Sequence, residues 1–254
     1  MIRVGVFGAA GRMGATVCGA VDADPDLELV AAVDPFHAGE TVSGVEVAGE
    51  PRAMADAGAE VVVDFTVADA ARNNICWAAL HGVHAVVGTT GFTDEDYALF
   101  RDEFSRSNCI IAPNFAVGAV LMMRFAELAA PFFDSAEIIE LHHANKRDAP
   151  SGTAMMTATR MAAASGDWSP DPTEQEVVAG ARGGEGPGGI HVHAVRLRGL
   201  VAHQEVVLGT TGQSLTIRHD SYDRFSFMPG VLLAVKRVAE VPGLTVGLDD
   251  VLGL

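Results

Sequence analysis

The chain has little of several residue types, and each shortage excludes a class of protein. Basic residues are scarce, because 17 Lys and Arg stand against 33 Asp and Glu and the formal net charge is −16. Nucleic-acid binding depends on a basic field that attracts phosphates, so we expect no nucleic-acid partner. An acidic surface also repels small dicarboxylates, so a site for such an anion must be locally positive.

Cysteines, aromatic residues and long apolar runs are also few. The three cysteines, Cys18, Cys76 and Cys109, are far apart, so neither a disulfide framework nor a paired-cysteine metal motif is predicted. Only 6% of the residues are aromatic although 49% are hydrophobic, so the cores must consist mainly of aliphatic side chains. No apolar run suits a signal peptide or a membrane span. We therefore expect a cytoplasmic protein with reduced thiols and no membrane partner.

Strand patterns alternate with helix patterns in the first part of the chain. Short apolar runs indicate strands at residues 3–7, 27–33, 61–65, 85–87 and 109–112. Helical spacing of apolar residues indicates helices at 12–23, 68–81 and 94–107. Strands separated by helices imply right-handed crossovers and a parallel sheet.

The pattern changes from residue 115 onward. A helical apolar stripe is followed by strands at 136–139, 190–197, 205–209 and 214–219, and by helices at 153–164 and 229–241. Because most of the later strands lack intervening helices, they favour an antiparallel or mixed sheet. We predict an α/β protein with a Rossmann-like parallel-sheet domain over 1–113, completed by a C-terminal helix within 223–254. A second, α+β mixed-sheet domain is predicted over 114–222, with a cleft between the domains and hinges near Phe115 and residues 222–225.

Glycine-rich turns lie where a parallel sheet binds ligands. The turn from Gly8 to Gly14 (GAAGRMG) joins the first predicted strand to the first helix, where a pyrophosphate can approach the helix N-terminus. Asp34 ends the second strand, where an acid can accept hydrogen bonds from ribose hydroxyls. Residues 88–91 (GTTG) and 112–115 (APNF) follow two further strands. Together these turns predict a dinucleotide site, and a glycine turn without a ligand is the alternative.

Asp34 also bears on which dinucleotide binds. A carboxylate repels a ribose 2′-phosphate, and the residues that follow Asp34 are Pro35, Phe36 and His37 rather than an arginine. The sequence therefore favours NADH. His37 or Arg12 could offset the repulsion, so NADPH stays open.

The stretch from Glu140 to Thr153 (ELHHANKRDAPSGT) is the most informative part of the chain. It combines two adjacent histidines with Lys146, and Pro150 and Ser151 indicate the start of a helix. Free N–H groups at a helix start favour an anion, and Lys146 adds positive charge beside them. A proton donor next to an anion site predicts chemistry on a small carboxylate. Metal ligation and ordinary hydrogen-bonded surface histidines are the alternatives.

A second histidine pair raises the question of a metal site. His191 and His193 lie on one predicted strand, so their side chains share a face. With His142 and His143 they could form a metal site, but no carboxylate stands at a recognisable ligand spacing, and Lys146 would be an unfavourable neighbour. We therefore predict no metal.

Several segments together resemble one enzyme family. They read VGVFGAAGRMG, VVDFT, VVGTTGF, IAPNFAVGAV, ELHHANKRDAPSGTA and HAVRLRGLVAHQEV. The chain resembles, over nearly its whole length, the 4-hydroxy-tetrahydrodipicolinate reductase (dihydrodipicolinate reductase) family, and most of all its actinobacterial members. The join of HHxxK to DAPSGT is the most specific of these motifs.

The resemblance implies a function and a set of site residues. It implies NAD(P)H-dependent reduction of a cyclic dicarboxylate in diaminopimelate and lysine biosynthesis, with hydride transfer to C4 and protonation by His142 and Lys146. It implies that His143, Gly152 and Thr153 bind the substrate carboxylates, and that the second domain builds a homotetramer. The implied dinucleotide contacts are Gly8, Ala9, Ala10, Gly11, Arg12, Met13, Asp34, Gly88, Thr89, Thr90, Ala112, Pro113, Asn114 and Phe115.

Two departures from the family pattern concern the dinucleotide alone. Some members carry Arg at the position of Pro35 and Lys at the position of Ala10, so a strict preference for NADPH is in doubt. Two other classes of function stay open: a nicotinamide-binding sensor without turnover, and a metal-dependent hydrolase built on the four histidines.

Overall fold

The computed structural model describes all 254 residues, which form two compact units. Unit 1 comprises Met1–Val117 and Arg224–Leu254, and unit 2 comprises Gly118–Asp223. The chain therefore passes between the units twice, after Val117 and after Asp223. None of the helices combines the length and the apolar character needed to cross a membrane.

The elements are numbered in chain order. The strands are β1 (Ile2–Phe7), β2 (Leu27–Val33), β3 (Thr41–Val42), β4 (Val45–Ala48), β5 (Val61–Asp64), β6 (His84–Val87), β7 (Cys109–Ile111), β8 (Ser135–His143), β9 (Gly184–Glu185), β10 (His191–Leu197), β11 (Ala202–Thr210), β12 (Gln213–Ser221) and β13 (Leu244–Val246). The helices are α1 (Arg12–Ala23), α2 (Arg52–Asp56), α3 (Ala68–His81), α4 (Asp94–Glu103), α5 (Val117–Ala129), α6 (Gly152–Ala164), α7 (Met228–Arg237) and α8 (Asp249–Leu252).

Unit 1 is built on an eight-stranded sheet in the order β13-β7-β6-β5-β1-β2-β4-β3. All neighbouring pairs except β3–β4 are parallel. Every residue of β5 and of β7 is buried, as expected where helices cover both faces of a parallel sheet. In the sheet, β2 pairs with one side of β1, and β5, which comes later in the chain, pairs with its other side. The carboxyl ends of the central strands therefore meet at a switch point, which is where such sheets bind ligands.

Unit 2 contains a five-stranded mixed sheet in the order β12-β11-β8-β10-β9. β8 runs parallel to β10 and antiparallel to β11, so strands of both directions flank it. Helix α6 packs on one face, where Ile138, Val206 and Leu208 are fully buried. The predicted fold class, a parallel-sheet domain with a second mixed-sheet domain, is confirmed.

Several predicted boundaries were wrong. β8 extends through His143 rather than ending at residue 139, because it pairs along its whole length with β10 and β11. The last long helix ends at Arg237 and continues as a 3-10 turn, Val238–Glu240, because Pro242 disfavours helical geometry at the residue before it. Strands β3, β4, β9 and β13 and helices α2 and α8 were missed, since they are too short to show a period.

The turn after β1 allows a direct test of close backbone packing. A Cβ on Gly14 would lie 1.9 Å from the carbonyl oxygen of Gly8, whereas a Cβ on Gly19, exposed on the same helix, would meet nothing within 4 Å. We expect Gly14→Ala to lower the free energy of unfolding by about 1–3 kcal/mol through overpacking. Gly19→Ala should raise it by roughly 0.5–1 kcal/mol, because alanine favours the helix.

Urea denaturation followed by circular dichroism would measure both variants against the unmodified chain. A rise of both midpoints would show that the turn accommodates the Cβ at no cost, contrary to this expectation.

Candidate active site

The turn after β1 leaves the start of α1 open to a ligand. Gly8 has a φ of 68°, its N–H and that of Ala9 donate to the carbonyl of Val33, and the N–H of Gly11 donates back to Gly8. No side chain caps the N-terminus of α1, which begins after Gly11. The first N–H groups of this helix can therefore serve an anion such as a pyrophosphate.

Asp34 lies at the carboxyl end of the neighbouring strand, β2, and only 6% of it is exposed. Its Oδ1 accepts from the N–H of Phe36 at 3.1 Å and lies 3.1 Å from Nδ1 of His37. The contact with this carboxylate raises the pKa of His37. The ring of Phe36, by contrast, is 91% exposed. The structure thus places a titratable cation directly beside the predicted ribose ligand.

The turns after β6 and β7 complete the same edge. A Cβ on Gly88 would lie 2.0 Å from the ring of Phe65, so that ring packs directly on the glycine backbone. The ring of Phe65 also lies 5.8 Å from that of Phe115, which is buried. Asn114 accepts from the N–H of Ala116 at 2.9 Å. The residues predicted to contact a dinucleotide therefore all follow carboxyl ends of the parallel strands of unit 1.

A buried carboxylate, Glu140, organises the cluster in unit 2. It is fully buried on β8 and accepts two hydrogen bonds from Arg196 on β10, at 2.7 and 2.8 Å. It also accepts from the N–H of Ser151 at 3.0 Å and contacts Nδ1 of His142 at 2.5 Å. Burial would raise the pKa of Glu140, but the hydrogen bonds from Arg196 and His142 outweigh it, so the pKa is lowered. Glu140 is therefore an ionised acceptor that fixes three separate segments.

His142 is held in one protonation state by this arrangement. Burial lowers its pKa, the hydrogen bond with Glu140 works in the opposite direction, and the charges of Lys146 and Arg196 add to the lowering. The ring is thus neutral at neutral pH. Because a carboxylate only accepts, the hydrogen-bond network assigns the proton to Nδ1 and leaves Nε2 as an acceptor.

Lys146 lies in the loop that follows β8. Its Nζ contacts both carboxylate oxygens of Asp148, at 2.9 and 2.7 Å, and its own N–H donates to the carbonyl of His143. Arg196 also donates to the carbonyl of Asp148 at 2.7 Å, so the loop is tied to the sheet. The hydrogen bond from Lys146 lowers the pKa of Asp148. The ammonium group is therefore held near the sheet by a carboxylate that is mostly exposed.

The N-terminus of α6 is the third part of the cluster. Ser151 caps it, its Oγ accepting from the N–H of Ala154 at 3.2 Å. A Cβ on Gly152 would meet nothing within 4 Å, so the space on that side of the first residue of α6 is open. The carbonyl of Thr153 accepts from Thr157 Oγ1, which in turn accepts from Gln204. This chain of hydrogen bonds fixes the start of the helix on the sheet.

The structure does not bring every predicted residue into this cluster. His143 follows His142 on the same strand and therefore points to the other face; its N–H donates to Val201. Its role in substrate binding stays a prediction. The second histidine pair lies elsewhere, with His191 beside Asp171 at 3.2 Å and His193 beside Glu137 at 2.6 Å. No group of three or more His, Cys, Asp or Glu side chains is placed to hold a metal ion.

Glu140 and Arg196 were missed as site residues by the sequence analysis. Each is a charged residue between two apolar neighbours of a strand, as in Ile139-Glu140-Leu141. That position was the available signal, because a charge on a covered strand face needs a partner.

Comparison with known proteins decides the family. The family model described as dihydrodipicolinate reductase, N-terminus, matches residues 2–115, and the one described as dihydrodipicolinate reductase, C-terminus, matches residues 118–252. The chain belongs to the dihydrodipicolinate reductase family. The resemblance read from the sequence is therefore confirmed.

Individual relatives of this dihydrodipicolinate reductase family agree over the full length. A 4-hydroxy-tetrahydrodipicolinate reductase of Cutibacterium acnes is 54% identical and covers 100% of both chains. That of Nocardia farcinica is also 54% identical, over 100% of this chain and 99% of the relative. A solved dipicolinate-bound dihydrodipicolinate reductase from Paenisporosarcina sp. TG-14 is 40% identical, with a TM-score of 0.89 over 98% of this chain and 99% of that one.

Because Glu140 is central to the cluster, replacing it should lower the free energy of unfolding more than replacing Glu137 on the same strand. Glu140→Ala would remove the carboxylate partner of Arg196 and the acceptor of the Ser151 N–H in a covered site, so we expect a loss of about 3 kcal/mol in the free energy of unfolding. Glu137 also pairs with a histidine and an arginine, but its side chain is 31% exposed. Glu137→Ala should therefore cost no more than about 1 kcal/mol.

Chemical denaturation of the two variants in parallel provides the comparison. Equal losses for both variants would contradict the central role given to Glu140.

Proposed function

We propose that this chain reduces 4-hydroxy-tetrahydrodipicolinate to tetrahydrodipicolinate with a reduced nicotinamide dinucleotide, a step of diaminopimelate and lysine biosynthesis. Membership of the family supports the reaction, and a dicarboxylate bound to a relative supports the substrate class. The observation that carries the proposal is the cluster in unit 2, in which Glu140 holds a neutral His142 and an open helix start beside Lys146.

Unit 1 offers the elements that a dinucleotide needs. The open N-terminus of α1 suits the pyrophosphate, and the carboxylate of Asp34 suits the ribose hydroxyls. The edge formed by Gly88 to Thr90 and Ala112 to Phe115 would bind the nicotinamide end. Loss of water from the hydroxyl-bearing C4 of the substrate gives a conjugated imine. When bound, the reduced nicotinamide would supply a hydride to C4 of that imine.

Unit 2 offers donors for the two carboxylates of the substrate. The start of α6 favours an anion, and the position where a Cβ would stand on Gly152 is open. Lys146 provides local positive charge in a protein whose formal net charge is −16. His143, on the exposed end of β8, is the remaining proposed carboxylate ligand.

The protonation states favour a division of roles between the two catalytic residues. Reduction at C4 leaves an enamine, which must take a proton on carbon. Neutral His142 donates its only N–H to Glu140, so its Nε2 accepts rather than donates a proton. We propose that the Lys146 ammonium gives the proton to the enamine carbon and becomes a neutral amine, while His142 orients the substrate or accepts a proton.

The assembly and location of the protein are also proposals. Ile139, Leu141, Val195 and Val207 lie on the sheet face opposite α6 and are only partly buried, which supports association through this face into a homotetramer. The cysteines are unpaired and two of them are buried, which supports a reducing, cytoplasmic location. Sedimentation velocity would give the mass of the assembly.

The reaction itself can be measured directly. Substrate is made in situ by condensing pyruvate with aspartate semialdehyde, and oxidation of NADH and of NADPH is followed separately. Turnover with either dinucleotide supports the proposal. Folded protein that binds NADH without any turnover would instead favour a sensor.

Lys146 and Lys236 are the only lysines of the chain, which provides a matched pair of variants. Lys146→Met should lower kcat by about 10²–10⁴, the usual contribution of a positioned proton donor. Lys236→Met removes a surface pair with Asp24 and Asp26 in unit 1 and should leave kcat unchanged. Dinucleotide oxidation measures both, and an unaltered kcat in Lys146→Met would exclude the lysine as the donor.

The pair of Asp34 and His37 predicts a pH-dependent choice of dinucleotide. His37 carries a positive charge below its raised pKa, and this charge offsets the repulsion between Asp34 and a 2′-phosphate. The ratio of kcat/KM for NADPH to that for NADH should therefore rise by about fivefold as the pH falls from about 8.5 to about 6.5. In His37→Gln the ratio should stay low across this range. Steady-state rates with both dinucleotides provide the test, and an equal rise in His37→Gln would assign the effect to another group.

A further inference from the structure

Asp64 is a buried carboxylate with no cationic partner. It ends β5, between β1 and β6 at the centre of the sheet, and only 2% of it is exposed. Its Oδ1 accepts from the N–H and the hydroxyl of Thr66 at 2.9 and 2.8 Å, and from the hydroxyl of Thr89 at 2.8 Å. Its Oδ2 accepts from Asn74 on α3 at 2.7 Å. Four neutral donors thus compensate one charge that has left water.

These hydrogen bonds join segments that are distant in the sequence. The N–H of Thr66 also approaches Thr89 Oγ1 at 2.9 Å, and the N–H of Gly88 donates to the carbonyl of Asp64. The segment after β5 is thereby fixed to the segment after β6 by both main chain and side chains. Each of these bonds involves Asp64 or a group that Asp64 orients.

The network also reaches the turn after β1. A Cβ on Gly8 would lie 2.9 Å from the methyl group of Thr66 and 3.2 Å from the carbonyl oxygen of Phe65. The glycine turn therefore packs directly against the residue that Asp64 holds. One carboxylate sets the relative positions of three turns at the carboxyl edge of the sheet.

A purely structural role would be served more cheaply by an apolar side chain. Burying a carboxylate costs free energy even when donors surround it, and a well-packed apolar group of similar size avoids that cost. What the carboxylate adds is direction, because each of its oxygens fixes where a donor points. Two of those donor residues, Thr66 and Thr89, belong to the turns of the proposed dinucleotide site.

We propose that Asp64 is a positioning residue that preforms the dinucleotide site by holding Thr66 and residues 88–90 against the turn at Gly8. The inference rests on the proposed function, because it takes this edge to be the dinucleotide site. A preformed site binds more tightly because less of the chain has to be ordered on binding. Asp64 therefore acts on dinucleotide affinity and not on the chemical step.

The test compares Asp64→Ala with Asp64→Asn and with a control of similar structural cost. In Asp64→Asn the side-chain oxygen can still accept from Thr66 and Thr89. The new amide nitrogen can donate to the side-chain oxygen of Asn74 once the Asn74 amide has flipped. The control is Asp96→Ala in α4, because Asp96 is also a buried acid of unit 1 and accepts from Arg72 and from the N–H of Thr93. Its donors, Arg72 and Thr93, are not among the turn residues that Asp64 joins.

The Kd for NADH is measured by fluorescence well below the unfolding temperature, together with KM and kcat. We expect Asp64→Ala to raise Kd and the KM for NADH by about tenfold while kcat at saturation stays within about twofold. Asp64→Asn should restore most of the affinity, and Asp96→Ala should lower the melting temperature without changing Kd. If Asp64→Ala does not fold, Asn74→Ala, which removes one of the four donors, should raise Kd by about threefold.

Unchanged Kd values in the folded Asp64→Ala or Asn74→Ala variants would overturn the inference, and so would an equal rise of Kd in Asp96→Ala. If the unmodified chain bound neither NADH nor NADPH, the proposed function would fail and the inference with it. If the unmodified chain and the variants all bound NADH normally, the inference would be overturned and the proposed function would stand.

Discussion

The buried pair of Glu140 and Arg196 is the interaction on which the site in unit 2 depends. Arg196 presents two N–H groups to the two oxygens of Glu140, and this planar match is the geometry that makes arginine–carboxylate pairs strong. The same carboxylate orients His142 and receives the N–H that precedes α6, while the same guanidinium holds the carbonyl of Asp148. His142, the helix start and the lysine loop therefore share one anchor.

Each unit buries a carboxylate, and the two carboxylates are compensated by different kinds of donor. In unit 2 the buried carboxylate is compensated by a cation, so the cluster remains close to neutral and can accept a negatively charged substrate. In unit 1 the buried carboxylate of Asp64 is compensated by hydrogen bonds from neutral donors. Asp64 ends its strand, where the main chain turns and exposes N–H groups that need acceptors, whereas Glu140 lies inside β8 and accepts from the N–H of Ser151, which precedes α6.

The sequence predicted the regular elements better than the contacts that build the site. The bounds expected for α1, β2 and α3 agree with the structure, because glycine turns and buried aliphatic runs are local signals. Glu140 and Arg196 are 56 positions apart, and their partnership depends on the pairing of β8 with β10. Likewise, nothing local in the sequence showed that β8 continues through both histidines. Motif spacing predicted His142 and Lys146 as residues, but the tautomer of one and the partner of the other follow only from tertiary structure.

The pairing of Lys146 with Asp148 bears on how an acidic protein can take a dianionic substrate. With a formal net charge of −16, the long-range field opposes approach, so short-range contacts must provide the affinity. Asp148 is 65% exposed, and an ion pair of that exposure contributes little free energy. In the proposed function a substrate carboxylate replaces it at small cost, whereas Glu140 is fully buried and bound by Arg196. In the proposed reaction, the weak pair holds the ammonium near the sheet until substrate arrives, and the strong pair holds the surrounding residues in place.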